Sequence, residues 1–291
     1  MKESKAKGIG YVVASAAFFG IMPSFVVTAN IGGANSISVI FYRFLLSLPV
    51  LLLYLGVKKI DLRITGREFI QIVLATVFGL GGTSILLFSS YEYIPSGMAT
   101  TIHYIYPVLI IIANVFFLKA KMNRTKLACA VLCLLAMALF NQGSVGFSVV
   151  GILLAFGSGV TYCFYSIYYE QSSLRYMNGL KFLFYANLLT AVMTFFMAAG
   201  THSLSTDITP VAWACIVVVA IGTTFVGNFL YQQGVLVIGA QSASIISTLE
   251  PIVSIIVGAI LFRERIGITG IIGAVLIITA AIVVTRIESK E

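Results

Sequence analysis

Charge is scarce in this chain. Asp, Glu, Lys and Arg make up 10% of its 291 residues, against 59% hydrophobic residues and a mean hydropathy of +1.04. A water-soluble domain carries about 25% charged residues. So little charge cannot cover an apolar core in water, which excludes a soluble protein and points to an integral membrane protein. Long polar segments are missing too. None exceeds roughly 12 residues, so these residues leave no room for a soluble signalling domain. Cysteine is limited to Cys129, Cys133, Cys163 and Cys215, all inside apolar stretches. Cys129 and Cys133 share a helix face, but no His or carboxylate stands near them to complete a metal site. They are expected to be small core residues, without disulfides and without metal. No Walker-type glycine loop, HExxH pair or serine elbow occurs, so no catalytic constellation can be assembled. The chain is expected not to be an enzyme and to need no cofactor. Its net charge of +8 is scattered over short loops. Nucleic-acid binding needs a continuous basic face in water, so that class is excluded.

What is present is apolar and long. A bilayer core needs about 20 apolar residues per helix. Ten such runs are expected: 8–29, 36–57, 67–90, 95–118, 124–141, 149–170, 179–200, 210–232, 239–262 and 267–287. Gly32-Gly33, Asn141-Gln142-Gly143 and Thr209-Pro210 read as turns, and Ile94-Pro95 as a break, because the residue before proline disfavours helix. The first run follows Lys2, Lys5 and Lys7, as a signal peptide would. It is longer than a signal core and has a counterpart beginning at Gly151, so it reads as a retained helix.

The chain repeats itself. Residues 91–126 lie over 235–270 at a constant offset of 144: Ile94 on Ile238, Ala99 on Ala243, Ile102 on Ile246, Pro107 on Pro251. A duplicated apolar half is the mark of a secondary transporter. Two five-helix repeats, 1–143 and 144–291, are expected. Of the 18 Lys and Arg residues, fifteen fall on one side if the N-terminus lies inside. Only Arg263 and Arg265 fall on the other, and Arg43 lies within a span. Both termini are therefore expected in the cytoplasm. Five helices is an odd number, so the second half enters the membrane from the opposite face. The expected fold is an all-α membrane protein of ten transmembrane helices in two inverted-topology repeats.

Several residues at membrane depth are candidates. Ser96, Thr100, His103, Pro107, Ile110 and Asn114 form one helix stripe, matched in the other half by Ala240, Ser244, Ser247, Pro251, Ser254 and Gly258. Such a stripe serves helix packing through small residues or a cavity wall. Pro107 and Pro251 each free a backbone carbonyl, at His103 and Ser247, and are candidate hinges. Arg43 and Glu250 are ionisable residues within spans, which marks each as a site candidate, with a structural role as the alternative. A carboxylate there is expected to take a proton or an amine, and Arg43 an anion: Glu250 itself in the empty state or a substrate carboxylate. Asn228 and Gln232 form an i, i+4 pair suited to interhelical hydrogen bonds or a cavity. Ser158, Tyr162, Tyr165 and Tyr169 share a face. They serve packing or, at Tyr162 and Tyr165, an aromatic wall for an apolar substrate group. The candidate binding set is Arg43, His103, Tyr162, Tyr165, Asn228, Ser244, Ser247 and Glu250.

The text "FYRFLLSLPVLLL" at Phe41–Leu53, "IYPVLIIIANVFFLKAK" ending at Lys121 and "LEPIVSIIVGAILFRERI" ending at Ile266 resemble the drug/metabolite transporter superfamily in its EamA-like branch. Arg43-Phe44 matches the family's start of span two. Glu264 occupies the family's terminal glutamate, which Ala120 replaces in the first half. The resemblance implies a cofactor-free carrier of small metabolites, often an exporter of amino acids or related solutes. The expected function is alternating-access transport of amino acids or related zwitterions across the inner (plasma) membrane, with protons as a possible partner ion. A passive channel, or a membrane enzyme or sensor without solute flux, are the alternatives.

Overall fold

The computed structural model describes residues 4–94, 96–140, 148–262 and 268–288. The expected break at Pro95, the Asn141-Gln142-Gly143 turn, and Arg263, Glu264 and Arg265 lie outside the described residues. Helix α1 (Lys5–Ile31) passes through Gly32-Gly33 into α2 (Ser36–Val57). Asn35 caps α2, its side chain accepting from the Ser38 N–H at 2.8 Å, which satisfies one orphan donor of the first turn. Helix α3 (Gly66–Ser90) opens with a reciprocal box. Thr65 Oγ1 accepts from Glu68 N at 3.2 Å and Glu68 accepts from Thr65 N at 2.7 Å, the pattern that fixes a helix start. There follow α4 (Ser96–His103), α5 (Tyr106–Phe117), α6 (Arg124–Phe140), α7 (Val149–Gln171), α8 (Gly179–Gly200), α9 (Pro210–Ser247), α10 (Glu250–Phe262) and α11 (Ile268–Glu288).

Among the described residues there is no strand, and eight helical runs are long and apolar enough to cross a membrane. Large apolar side chains such as Leu53, Phe117, Leu153 and Ile260 face outward. In water that surface would drive aggregation; in a bilayer it is the solvated face.

The backbone repeats as the sequence does. Wide π-type turns begin at Thr76 in α3 and at Ala220 in α9, 144 residues apart. Each frees a carbonyl that a side chain four residues on satisfies. Ser84 Oγ donates to Leu80 O at 3.1 Å, and Asn228 Nδ2 donates to Thr224 O at 3.2 Å. The break between α4 and α5 at Tyr104-Ile105 recurs between α9 and α10 at Thr248-Leu249. Pro107 and Pro251 stand in the first turn of the helices that follow, where a missing N–H costs nothing. The carbonyls of His103 and Ser247 thus stand at the breaks, as expected from the prolines.

One boundary differs from expectation. The sequence placed an interruption between 232 and 239. The helix instead continues to Ile238 and turns sharply at Gly239, with φ +77° and ψ 158°. Glycine takes that conformation without steric cost. Residues 240–247 then run as a half-helix, the counterpart of α4.

The packing crosses the halves. Helix α1 lies along α9 and α10, while α7 lies along α3, α4 and α5. Helix α2 packs on α8, and α6 on α11. The first helix of each half therefore covers the third and fourth of the other, and the space between them falls at the centre of the bundle.

Candidate functional site

That central space is a cavity in two connected parts. An inner chamber of about 90 Å³ is walled by α1, α2, α3, α4, α5, α7, α9 and α10 and includes Arg43, His103, Tyr162, Asn228, Ser247 and Glu250. A vestibule of about 430 Å³ continues from it between α1, α4 and α10, past Thr101 and Ser254 toward Asn30. Met22, Pro23, Phe88, Tyr91, Thr100, Tyr104 and Glu250 border both parts. Asn30 lies at the end of α1, beside the Gly32-Gly33 turn. That end is tied together by the loops, with Asn35 donating to Ser203 O and Thr209 N to Gly32 O. The vestibule thus opens opposite to the basic end, where Lys181 donates to the carbonyl of Arg63.

Arg43 enters the chamber from α2 and is 5% exposed. Its Nη1 donates to Met22 Sδ at 3.1 Å and its Nη2 to Ser84 Oγ at 2.8 Å. The guanidinium lies over Phe88 at 4.7 Å and Phe44 at 4.9 Å. Its Nε–H has no partner among the described residues. Among the described residues no carboxylate reaches ion-pair distance, so the expected pairing with Glu250 is absent from this state. Arg at the centre of a membrane helix costs about 2.5–3.5 kcal/mol on insertion scales. Two hydrogen bonds from a charged group and two ring faces, at about 1–2 kcal/mol each, offset that cost. They do not neutralise the charge. The chamber therefore keeps a fixed cation with an open donor.

Glu250 starts α10 on the facing wall. It is surrounded by tyrosines: Tyr91, Tyr104, Tyr106 and Tyr162 all lie within electrostatic reach. The Tyr104 hydroxyl faces the carboxylate yet completes no hydrogen bond by distance and angle. The rings of Tyr104, Tyr106, Tyr162 and Tyr231 form a chain with centroids 5.7, 4.7 and 5.5 Å apart. A carboxylate among ring faces and hydroxyls suits an ammonium group.

The other candidates divide. His103 lines the chamber, its Nδ1 2.9 Å from Ser158 Oγ. Ser158 gives its one proton to Ala155 O at 2.6 Å. It must therefore accept from the imidazole, which leaves Nε2 as the ring's acceptor. Asn228 and Ser247 line the chamber, and Tyr162 does as well. Asn228 also spends its amide on the π-turn carbonyls of Thr223 and Thr224. Tyr165 and Ser244 lie outside the cavity in this state. Tyr165 is 1% exposed and accepts from Gln232 Nε2 at 2.8 Å; Ser244 is fully buried and donates to Gln241 O at 2.8 Å. Helix packing took them: Tyr165 stands where α7 and α9 touch, and Ser244 bonds within its own helix. Pro251 borders the vestibule, and Pro107 does not. Tyr91, Tyr104, Met22 and Ser84 were missed as binding candidates, and Thr100 was read only as part of the stripe. Tyr91 and Tyr104 sit on turns, where no helical period singles them out, and Met22 and Ser84 matter only through Arg43. Among the described residues no cluster of three or more His, Cys, Asp or Glu could hold a metal ion.

Residues 6–142 and again 149–286 match the model of the EamA-like transporter family. An uncharacterized transporter of Haemophilus influenzae is 24% identical over 268 residues, covering 88% of this chain and 84% of the relative. The uncharacterized inner membrane transporter YhbE of Escherichia coli (strain K12) is 25% identical over 300 residues, covering 97% and 92%. One crystal structure superposes over 99% of this chain and 100% of its own, with a TM-score of 0.85 at 16% identity. That likeness shows the fold.

Proposed function

The chain belongs to the EamA-like transporter family, and we propose that this membrane transporter carries neutral amino acids or related zwitterions by alternating access. The observation that carries the reading is the pair of opposite charges on facing walls of one chamber. Among the described residues Arg43 has an unpartnered Nε–H and no counter-ion, while Glu250 stands among tyrosines. A carboxylate fits the planar fork of Arg43. An amine fits Glu250, and an apolar side chain fits the ring surfaces of Tyr106 and Tyr162. Protons compete with the amine at Glu250. His103 and Ser247 complete the wall with polar contacts, and Pro107 and Pro251 serve as hinges beside the two helix breaks.

The architecture proposed is ten spans in two inverted repeats, 1–143 and 144–291, in the inner (plasma) membrane with both termini cytoplasmic. The paired π-turns and helix breaks support the repeat, and the distribution of Lys and Arg supports the orientation. On that orientation the vestibule faces outward. Export is the direction that the family resemblance favours. The test is flux of radiolabelled solutes in proteoliposomes, screened over amino acids with and without an imposed proton gradient. Saturable uptake of neutral amino acids is expected. Unsaturable ion flux, or no amino-acid uptake, would overturn the reading.

A further inference from the structure

The end of the bundle opposite the vestibule is closed by a short series of hydrogen bonds between α7 and α9. Tyr165 Oη accepts from Gln232 Nε2 at 2.8 Å. Ser166 Oγ and Tyr231 Oη lie 3.0 Å apart. One turn further, Glu170 Oε2 accepts from the Ala240 N–H at 3.0 Å. Ala240 is the first residue of the half-helix beyond Gly239, so its N–H is one of the donors that a helix start leaves free. Glu170 places a carboxylate on the positive end of that half-helix. Lys126 and Arg175 are within electrostatic reach of it.

The same positions in the first half do the opposite. Aligning Gly8 with Gly151, Ser15 with Ser158 and Phe19 with Tyr162 sets α1 on α7 at an offset of 143. Tyr165, Ser166, Tyr169 and Glu170 then correspond to Met22, Pro23, Val26 and Val27. The 144 offset pairs Tyr231 and Gln232 with Leu87 and Phe88. All six first-half residues line the open chamber or vestibule. Of their second-half counterparts on α7 and α9, Tyr231 also borders the chamber, while Tyr165, Ser166, Tyr169 and Gln232 are buried and Glu170 is half-buried. At these positions one end is open and its side chains apolar, and the equivalent end is hydrogen-bonded.

We infer that the end carrying Glu170 holds a second, closed vestibule lined by Ser244 and Val235, and that Glu170 is the positioning residue that latches it. The inference rests on the alternating-access reading. Val235 is the counterpart of Tyr91 and Ser244 of Thr100, both of which border the open vestibule. Val235 and Ser244 are buried now, at 1% and 0% exposure. Opening moves the 240–247 half-helix away from α7 about the Gly239 turn, which breaks the Glu170–Ala240 bond. At the opposite end the latch position is Val27, which has no carboxylate to offer a helix start.

The test needs no substrate. Single cysteines at Ser244 (S244C) and Thr100 (T100C) are labelled with a membrane-impermeant maleimide from each face of oriented vesicles, with the wild-type chain as blank. In the otherwise unaltered protein, T100C is expected to react fast from the vestibule face and S244C slowly from the other. Glu170→Gln removes a charge-assisted hydrogen bond and is expected to raise the S244C rate about tenfold while lowering the T100C rate. A merely structural Glu170 would loosen both ends, so both rates rising together would overturn the latch. Reciprocal accessibility that ignores Glu170→Gln would also overturn it, while leaving the transport reading standing. Fast labelling at both positions in the unaltered protein would instead sink alternating access itself.

Discussion

Gly20 of α1 packs on the backbone of Glu250: a Cβ added at Gly20 would stand 2.6 Å from the Glu250 carbonyl oxygen and 2.5 Å from Val253 Cβ. Neither neighbour is the loose end of a side chain. The absence of a side chain at Gly20 is therefore what lets α1 approach the start of α10 and hold Glu250 against the chamber.

It follows that Gly20→Val should separate α1 from α10 at that crossing. Overpacking of this kind costs about 1–3 kcal/mol. Thermal stability in detergent should fall, and transport should be lost at matched expression. Wild-type stability together with wild-type flux would show that the close approach is incidental.

Arg43→Lys keeps a cation but loses the planar fork and the stacking on Phe44 and Phe88. Apparent affinity for a carboxylate-bearing substrate should weaken about tenfold, with folding less affected. Concentration dependence of uptake by the two forms measures it. Equal affinities would place the carboxylate elsewhere.

Glu250→Gln keeps the shape and removes the charge. If a proton and an amine compete at this side chain, the variant should lose the pH dependence of flux and bind zwitterions more weakly. Flux measured across a pH series, with wild type in parallel, decides it. An unchanged profile makes Glu250 structural.

How much of this was legible in the sequence depends on the kind of signal. The 144-residue offset and the matched prolines located both helix breaks, because proline acts locally and predictably on the helix around it. The polar stripe set Thr100, His103 and Ser247 on matching lines, and all three border the cavity. Periodicity alone could not say which side of a buried stripe faces a cavity and which faces a neighbour, so Ser244 was placed with them although it packs on its own helix. The π-turns at Thr76 and Ala220 carry no proline or charge. They show only in the backbone and in the Ser84 and Asn228 side chains that satisfy them. Glu170 carries no motif or periodic signal, since a carboxylate at the end of a span is ordinary. Its partner at Ala240 became visible only once Gly239 was seen to turn the chain.

The topology also has a direct test. Cysteines at Lys59, Lys121 and Arg175 should be labelled only from the cytoplasmic side, and cysteines at Asn35 and Ser203 only from outside. Labelling of Lys121→Cys and Asn35→Cys from the same face would overturn the orientation and the inverted repeat with it.

The central claim is that one chamber, bearing Arg43 and Glu250, is exposed to one side at a time. Counterflow tests it most directly. Proteoliposomes preloaded with an unlabelled neutral amino acid are diluted into a trace of the labelled one. A carrier exchanges the two and should show a transient accumulation of label above equilibrium, weakened in Arg43→Lys. Monotonic equilibration without overshoot, or no uptake by the wild type, would contradict the account.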